Sequence, residues 1–229
     1  VVFDPRTVTL AGLEQSVYVR FSLLALSSIF FLVDPLAALP TFLAVTAGAG
    51  PAQRRRMAGK ASLTALVFLT AFALAGQFIF RMFGITLPAF EIAGGIILLL
   101  IGLDMLSAKR SETQETGAET AAATVKEDAG IVPLGIPMLA GPGAITSVMV
   151  LVGQAHGQWK LLAAILAAIF LTAAICYLVL GNSARVAHVL GDTGIRILVR
   201  IMGLLLVALA VQYFVNGMVD LGLVTRPAV

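Results

Sequence analysis

Apolar residues along the 229-residue chain gather into six long runs separated by polar connectors. The runs are Val17–Thr46, Ala61–Phe80, Leu87–Leu106, Ile131–Gly153, Leu161–Leu180 and Ile195–Met218. A helix needs about 20 mainly apolar residues to cross a bilayer, so each run is expected to be a membrane span. The first, at 30 residues, is too long for one upright span. Between the third and fourth runs, Lys109–Gly130 is rich in Glu, Thr and Ala and reads as a solvated linker. The expected organisation is a polar extension (1–16), a three-helix unit (17–108), the linker (109–130), a second three-helix unit (131–218) and a tail (219–229). The chain begins at Val1 rather than Met, which suggests trimming, and no signal-peptide core precedes the first run.

Composition agrees with this pattern. Hydrophobic residues make up 59% and charged residues 12%, where a soluble domain carries roughly 25% charged. That excludes a secreted scaffold, a nucleic-acid binder and an ordinary cytosolic enzyme. One cysteine, Cys176, leaves no disulfide framework and no cysteine metal site. It and the seven Met residues read as lipid-facing or core filler. His156 and His188 fall in polar connectors, too few and too scattered for a metal centre. No phosphate loop or catalytic constellation is visible, so neither an enzyme nor direct use of ATP is expected.

The placement of charge sets the orientation. Arg54, Arg55, Arg56, Lys60, Lys109, Arg110, Lys126, Arg185 and Arg196 lie in loops one, three and five. Arg6, Arg20, Arg81, Lys160 and Arg226 lie on the other side, a ratio of 9 to 5. Lys and Arg favour the cytoplasmic side, so both termini are expected outside the cell's inner (plasma) membrane.

The two halves echo one another. Asp34-Pro35-Leu36-Ala37 aligns with Gly141-Pro142-Gly143-Ala144 at an offset of 107, and Glu91-Ile-Ala-Gly94 with Arg200-Ile-Met-Gly203 at 109. Near-equal offsets point to two copies of a three-span unit. An odd number of spans forces the second copy to be inverted. The fold expected is therefore an all-α membrane protein of six helices in two inverted repeats, an arrangement common in secondary transporters. A channel could share it.

Both first helices are expected to break near mid-membrane. Pro35 lacks an N–H and pushes Asp34 out of helical geometry, so Asp34 should cap a new helix segment. Gly141-Pro142-Gly143 should do the same in the fourth run. Kinks serving only packing are the plainer alternative. They leave unexplained a carboxylate whose charge costs roughly 2.5–3.5 kcal/mol at the bilayer centre.

The segment Val33–Pro40 (VDPLAALP), with Pro133–Thr146 (PLGIPMLAGPGAIT), resembles the MarC family of bacterial and archaeal inner-membrane proteins. Ile92–Gly95, Arg200–Gly203 and Ala210–Gly217 resemble its other blocks, and the likeness runs from Phe21 to about Gly217. The resemblance implies the small neutral amino-acid transporters grouped with that family, for which glycine and alanine are typical substrates.

A zwitterion suits the two breaks. Each starts a helix whose free N–H groups and positive dipole end face the centre. Asp34 offsets one end and offers an acceptor for an ammonium group, while Gly141 and Gly143 leave the other open to a carboxylate. The candidate substrate residues are Asp34, Pro35, Ala38, Thr41, Gly141, Pro142, Gly143, Thr146 and Ser147. Asp34 is also the candidate coupling carboxylate, with H+ or Na+ as coupling ion and no cofactor. Glu91, Asp104, Arg200, Gln212 and Asn216 read as structural or gating polar groups. Asp104 and Arg200 share the inner half and could pair, and Gln212 and Asn216 are one helical turn apart. A passive channel, an exporter of another small metabolite and a non-transporting scaffold are the rival readings. Partners expected are the bilayer and small amino acids, with homo-oligomerisation left open.

Overall fold

The computed structural model describes residues 10–107 and 134–224. The linker 109–130, the first nine residues and the end of the tail lie outside them. Every element described is helical: α1 (Leu10–Val33), α2 (Ala38–Val45), α3 (Pro51–Phe83), α4 (Leu87–Leu106), a wound segment Leu134–Leu139, α5 (Pro142–Gln154), α6 (Trp159–Gly181) and α7 (Ser183–Asp220).

Four of these are long and apolar enough to cross a membrane, over Pro51–Gly76, Leu87–Leu106, Trp159–Gly181 and Thr193–Asp220. A fifth crossing arises when Val17–Val33 and Ala38–Val45, bent by 45° at their junction, count as one. The fourth apolar run, expected as a span broken at Gly141-Pro142-Gly143, is interrupted there but is not among the crossings, being represented only by a shorter apolar helix. Its regular helix is α5, 13 residues and so only ~20 Å long, short of the ~30 Å hydrocarbon core. The residues before it wind loosely, with Ile136 extended at φ −134° and ψ 127°. Gly141-Pro142-Gly143 interrupts the backbone ladder there, and proline is the physical reason.

The connectors are also shorter than the hydropathy pattern implies. Arg54, Arg55, Arg56 and Lys60 lie on α3, which starts at Pro51 and carries helix-compatible residues well beyond its apolar stretch. Arg185, His188 and Arg196 belong to α7, not to a loop. That helix turns sharply at Gly191, whose φ of 63° and ψ of 170° suit only glycine.

The closest pair is α4 with α7. A Cβ on Gly95 would stand 2.9 Å from the Ala210 carbonyl oxygen, and one on Gly102 2.9 Å from that of Gly203. One on Gly217 would stand 2.8 Å from the Pro88 oxygen. Partners run down one helix as they run up the other, so the pair is antiparallel. Small residues allow this approach, which apolar lipid would not otherwise drive. Helix α6 packs on α1 and α3, and α5 lies against α3, α4 and α1. Ile29, Leu39, Phe42, Leu69, Ile165 and Ile169 fill the main core. Leu63, Val67, Phe78, Phe170, Leu178 and Leu204 point outward. An apolar exterior of this extent suits lipid rather than water: the protein is an integral, multi-pass membrane protein.

Candidate functional site

The chain leaves α1 at Asp34 with φ +43°, a left-handed conformation that Asp tolerates better than most residues. The Asp34 N–H still donates to the Phe30 carbonyl at 3.0 Å, closing α1. Its carboxylate then turns onto the next segment: Oδ1 accepts the Ala37 N–H at 3.1 Å. Asp34 thus holds the Pro35-Leu36-Ala37 turn, while the regular helix begins three residues later than the proline pattern implies, at Ala38 with Ala37 in the N-cap position. Only 8% of Asp34 is exposed, and among the described residues Oδ2 has no hydrogen-bond partner.

Beside it lies a cavity of about 20 Å³, bounded by Asp34, Ala37, Ala38, Met105, Met138 and Leu206. Such a volume holds about one water, so this conformation is closed to an amino acid. From α6, fully buried Cys176 joins the core cluster that contains Val33 and Ala38, on either side of the break. The buried hydroxyl of Thr172, one turn earlier on α6, has no hydrogen-bond partner among the described residues. Cys176 is therefore a core residue beside the break, not a lipid-facing one. The Thr172–Cys176 spacing of four on an otherwise apolar helix was the available sequence signal for this wall.

The second break starts differently. Gly141 is extended at φ −75° and ψ 172° and supplies no side-chain cap to α5. Pro142 has no N–H to lose, which leaves the N–H groups of Gly143 and Ala144 without a side-chain cap in a buried place. The two breaks are neighbours: Leu32 Cδ2 lies 3.8 Å from where a Gly143 Cβ would stand. Leu98 Cδ2 lies 2.6 Å from the same point, so the bare face of Gly143 is covered by α4 and is a packing contact. The open groups at this break are its backbone donors.

The other candidates separate into distinct roles. Thr146 donates its hydroxyl to the Pro142 carbonyl at 2.8 Å and fills the space above Gly94 with its methyl group. Ser147 is fully buried and its hydroxyl lacks a formed bond. Thr41 and Ala38 are buried on α2, and Pro35 in the turn before it. Glu91 is buried on α4, outside the lining of the Asp34 cavity. Asp104 is half-buried and Arg200 exposed; no ion pair joins them among the described residues. Gln212 donates to Asn216 at 2.8 Å along one helix, an intrahelical bond on an exposed stretch rather than a bridge between helices. A wider groove of about 480 Å³, lined by Ala52, Gln53, Arg56, Met57 and Lys60, opens on the first turns of α3 and contains no residue of either break.

Residues 19–221, nearly all of this architecture with both breaks included, match the family model described as MarC family integral membrane protein. The chain belongs to the MarC family. Among curated relatives, it is 43% identical over 198 residues to the UPF0056 membrane protein MJ1677 of Methanocaldococcus jannaschii, covering 86% of this chain and 96% of that one. A UPF0056 membrane protein of Aquifex aeolicus shares 36% over 86% and 92% of the two chains. The UPF0056 membrane protein YhcE of Escherichia coli shares 35% over 88% and 91%. No solved structure matches the chain. The relatives' names describe membrane proteins and state no enzymatic activity.

Proposed function

We propose that this family member is a secondary transporter of small neutral amino acids, glycine or alanine in size, held between the two breaks. One observation carries the reading: a buried acid holds the turn that leads into one helix, and a helix start without a side-chain cap lies beside it. Uncapped N–H groups and a positive helix end suit a carboxylate, and the free oxygen of Asp34 suits an ammonium group. Irregular backbone inside a membrane protein is tolerated where it lines a cavity. The cavity beside Asp34 does so in closed form.

Two inverted repeats fit the packing. α3 packs on α6 and α4 on α7, each helix meeting its own counterpart. α5 lies against α4 as α2 lies against α7, and the wound segment meets α3 as α1 meets α6. That pattern supports a twofold relation between residues 17–108 and 131–218. Substrate access requires one of the broken elements to move, because the closed cavity is too small.

Counterflow of labelled alanine in proteoliposomes tests the binding chemistry. Unlabelled alanine and glycine should compete, while ethylamine, which lacks the carboxylate, and bulky tryptophan should not. Ethylamine competing as well as alanine would remove the carboxylate role from the Gly141–Gly143 break.

The orientation belongs to the same reading: both termini outside the inner membrane, from the 9-to-5 distribution of Lys and Arg. An impermeant maleimide applied to intact cells should label Val224→Cys and spare Ser107→Cys. Native Cys176 is fully buried and should stay silent. The reverse labelling would invert the topology.

A further inference from the structure

A second polar cluster lies where α4, α5 and α7 meet. Glu91 stands one helical turn from the N-terminus of α4, 2% exposed, with Oε2 lacking a hydrogen-bond partner among the described residues. The hydroxyl of Ser147, on α5, is fully buried and also lacks a formed bond. Tyr213, on α7, packs against the cluster of Leu98 and Ala210 that joins α4 to α7. Three helices are pressed together here. Thr146 of α5 fills the face of Gly94, and Ile92 of α4 packs over Gly217 of α7.

A buried carboxylate oxygen with no partner is costly, and a nearby like charge adds to the cost. The charged groups around Glu91 supply no relief. On α7 the nearest charge in register is the exposed Asp220, one turn past the Gly217 that packs on Pro88 and Ile92, and it has the same sign. α5 carries no charged residue, and the cation of α3 at its end, Arg81, is exposed. A metal ion would need several oxygens, yet the backbone of α4, α5 and α7 around the cluster is continuous helix with its carbonyls already used. A proton satisfies the carboxyl with nothing else added, and then gives Glu91 a donor to share with Ser147 or Tyr213.

We propose that Glu91, with Ser147 and Tyr213 as its hydrogen-bond partners, is a proton-binding site whose loading is coupled to the seating of α5 against the α4–α7 pair. The proton arrives from the aqueous phase at the N-terminal end of α4 and returns there or into the opened site. Because α5 carries the uncapped break, gain or loss of this proton acts on the substrate site through one rigid helix. The coupling rests on the transport reading above; the proton site itself does not.

Infrared difference spectroscopy of the full chain in lipid nanodiscs, scanned over pH, reads the site without any transport. The wild type should show the carbonyl band of a protonated carboxylic acid that fades as pH rises. Glu91→Gln, nearly isosteric, should lose the band, and Asp34→Asn should keep it. A wild type without a titrating band, or a band that survives in Glu91→Gln, would overturn the site. The coupling is read in proteoliposomes: Glu91→Gln should exchange alanine as the wild type does, yet lose accumulation driven by a pH gradient by about tenfold or more. Wild-type accumulation in Glu91→Gln, or accumulation driven by sodium and indifferent to pH, would overturn it. If Glu91→Gln also loses exchange, Glu91→Asp decides, with pH-driven accumulation restored for a proton site and not restored for a structural one. A wild type that moves no amino acid would sink the transport reading and leave the infrared result standing.

Discussion

Asp34→Asn is expected to leave the protein folded and to cut alanine exchange about a hundredfold or more, whereas Asp34→Ala should damage folding as well. The asparagine keeps what the fold needs. Its side-chain oxygen can still accept the Ala37 N–H, now held at 3.1 Å, because Asn caps helices about as well as Asp. It also tolerates the positive φ of 43° at this position. What it loses is the charge at Oδ2, the oxygen without an internal partner. Breaking a buried ion pair costs about 3–5 kcal/mol, and each 1.4 kcal/mol is a factor of about ten in affinity. Alanine at the same position loses the cap, worth about 1 kcal/mol, and must hold a left-handed backbone at a cost of about 1–2 kcal/mol. Thermal unfolding in detergent and counterflow in proteoliposomes separate the two effects. Asp34→Asn with undiminished exchange would leave Asp34 as a cap and nothing more.

Much of the fold was legible because lipid imposes a simple demand: about 20 apolar residues per crossing. The third apolar run, Leu87–Leu106, coincides with α4 residue for residue, since Thr86 caps its start and accepts the Ala89 N–H at 3.4 Å. Prolines located both breaks, because a missing N–H and a steric bias act locally. Helix ends beyond the apolar stretch were hidden. α3 takes in the Arg54–Arg56 run because helix propensity continues after hydropathy stops. Site chemistry was legible only where backbone and charge coincide, as at Asp34. Glu91 and Ser147 stood out as polar residues, but their burial without partners depends on how α4, α5 and α7 pack. Gly143 shows the opposite case. Its bare face suggested room for a ligand, and the tertiary packing fills that room with Leu98.

At the junction of α4 with α5, adding one methyl group is expected to have a large structural effect. Gly94→Ala would drive a Cβ into the Thr146 methyl and place it 2.8 Å from Thr146 Oγ1. Thr146 cannot swing aside freely, because its hydroxyl is bonded to the Pro142 carbonyl at 2.8 Å. Overpacking of this kind costs about 1–3 kcal/mol, and loss of the hydroxyl bond adds about 0.5–1.5 kcal/mol. Relief should come from the partner: Thr146→Ala removes the two nearest atoms and leaves only Cβ, at 2.9 Å, so the double variant should be more stable than the sum of the single changes predicts. Residues in contact show interaction energies of about 0.5–3 kcal/mol in such cycles. The cycle also bears on function. Thr146 sits one turn into α5, beside the uncapped start at Gly143 and Ala144, so displacing it tilts the donors proposed for the substrate carboxylate. Gly94→Ala should therefore weaken alanine competition while the rescued double variant regains most of it. Strictly additive stabilities, or a double variant that is stable yet still blind to alanine, would mean that α4 does not seat α5 in the way the Gly94–Thr146 contact indicates.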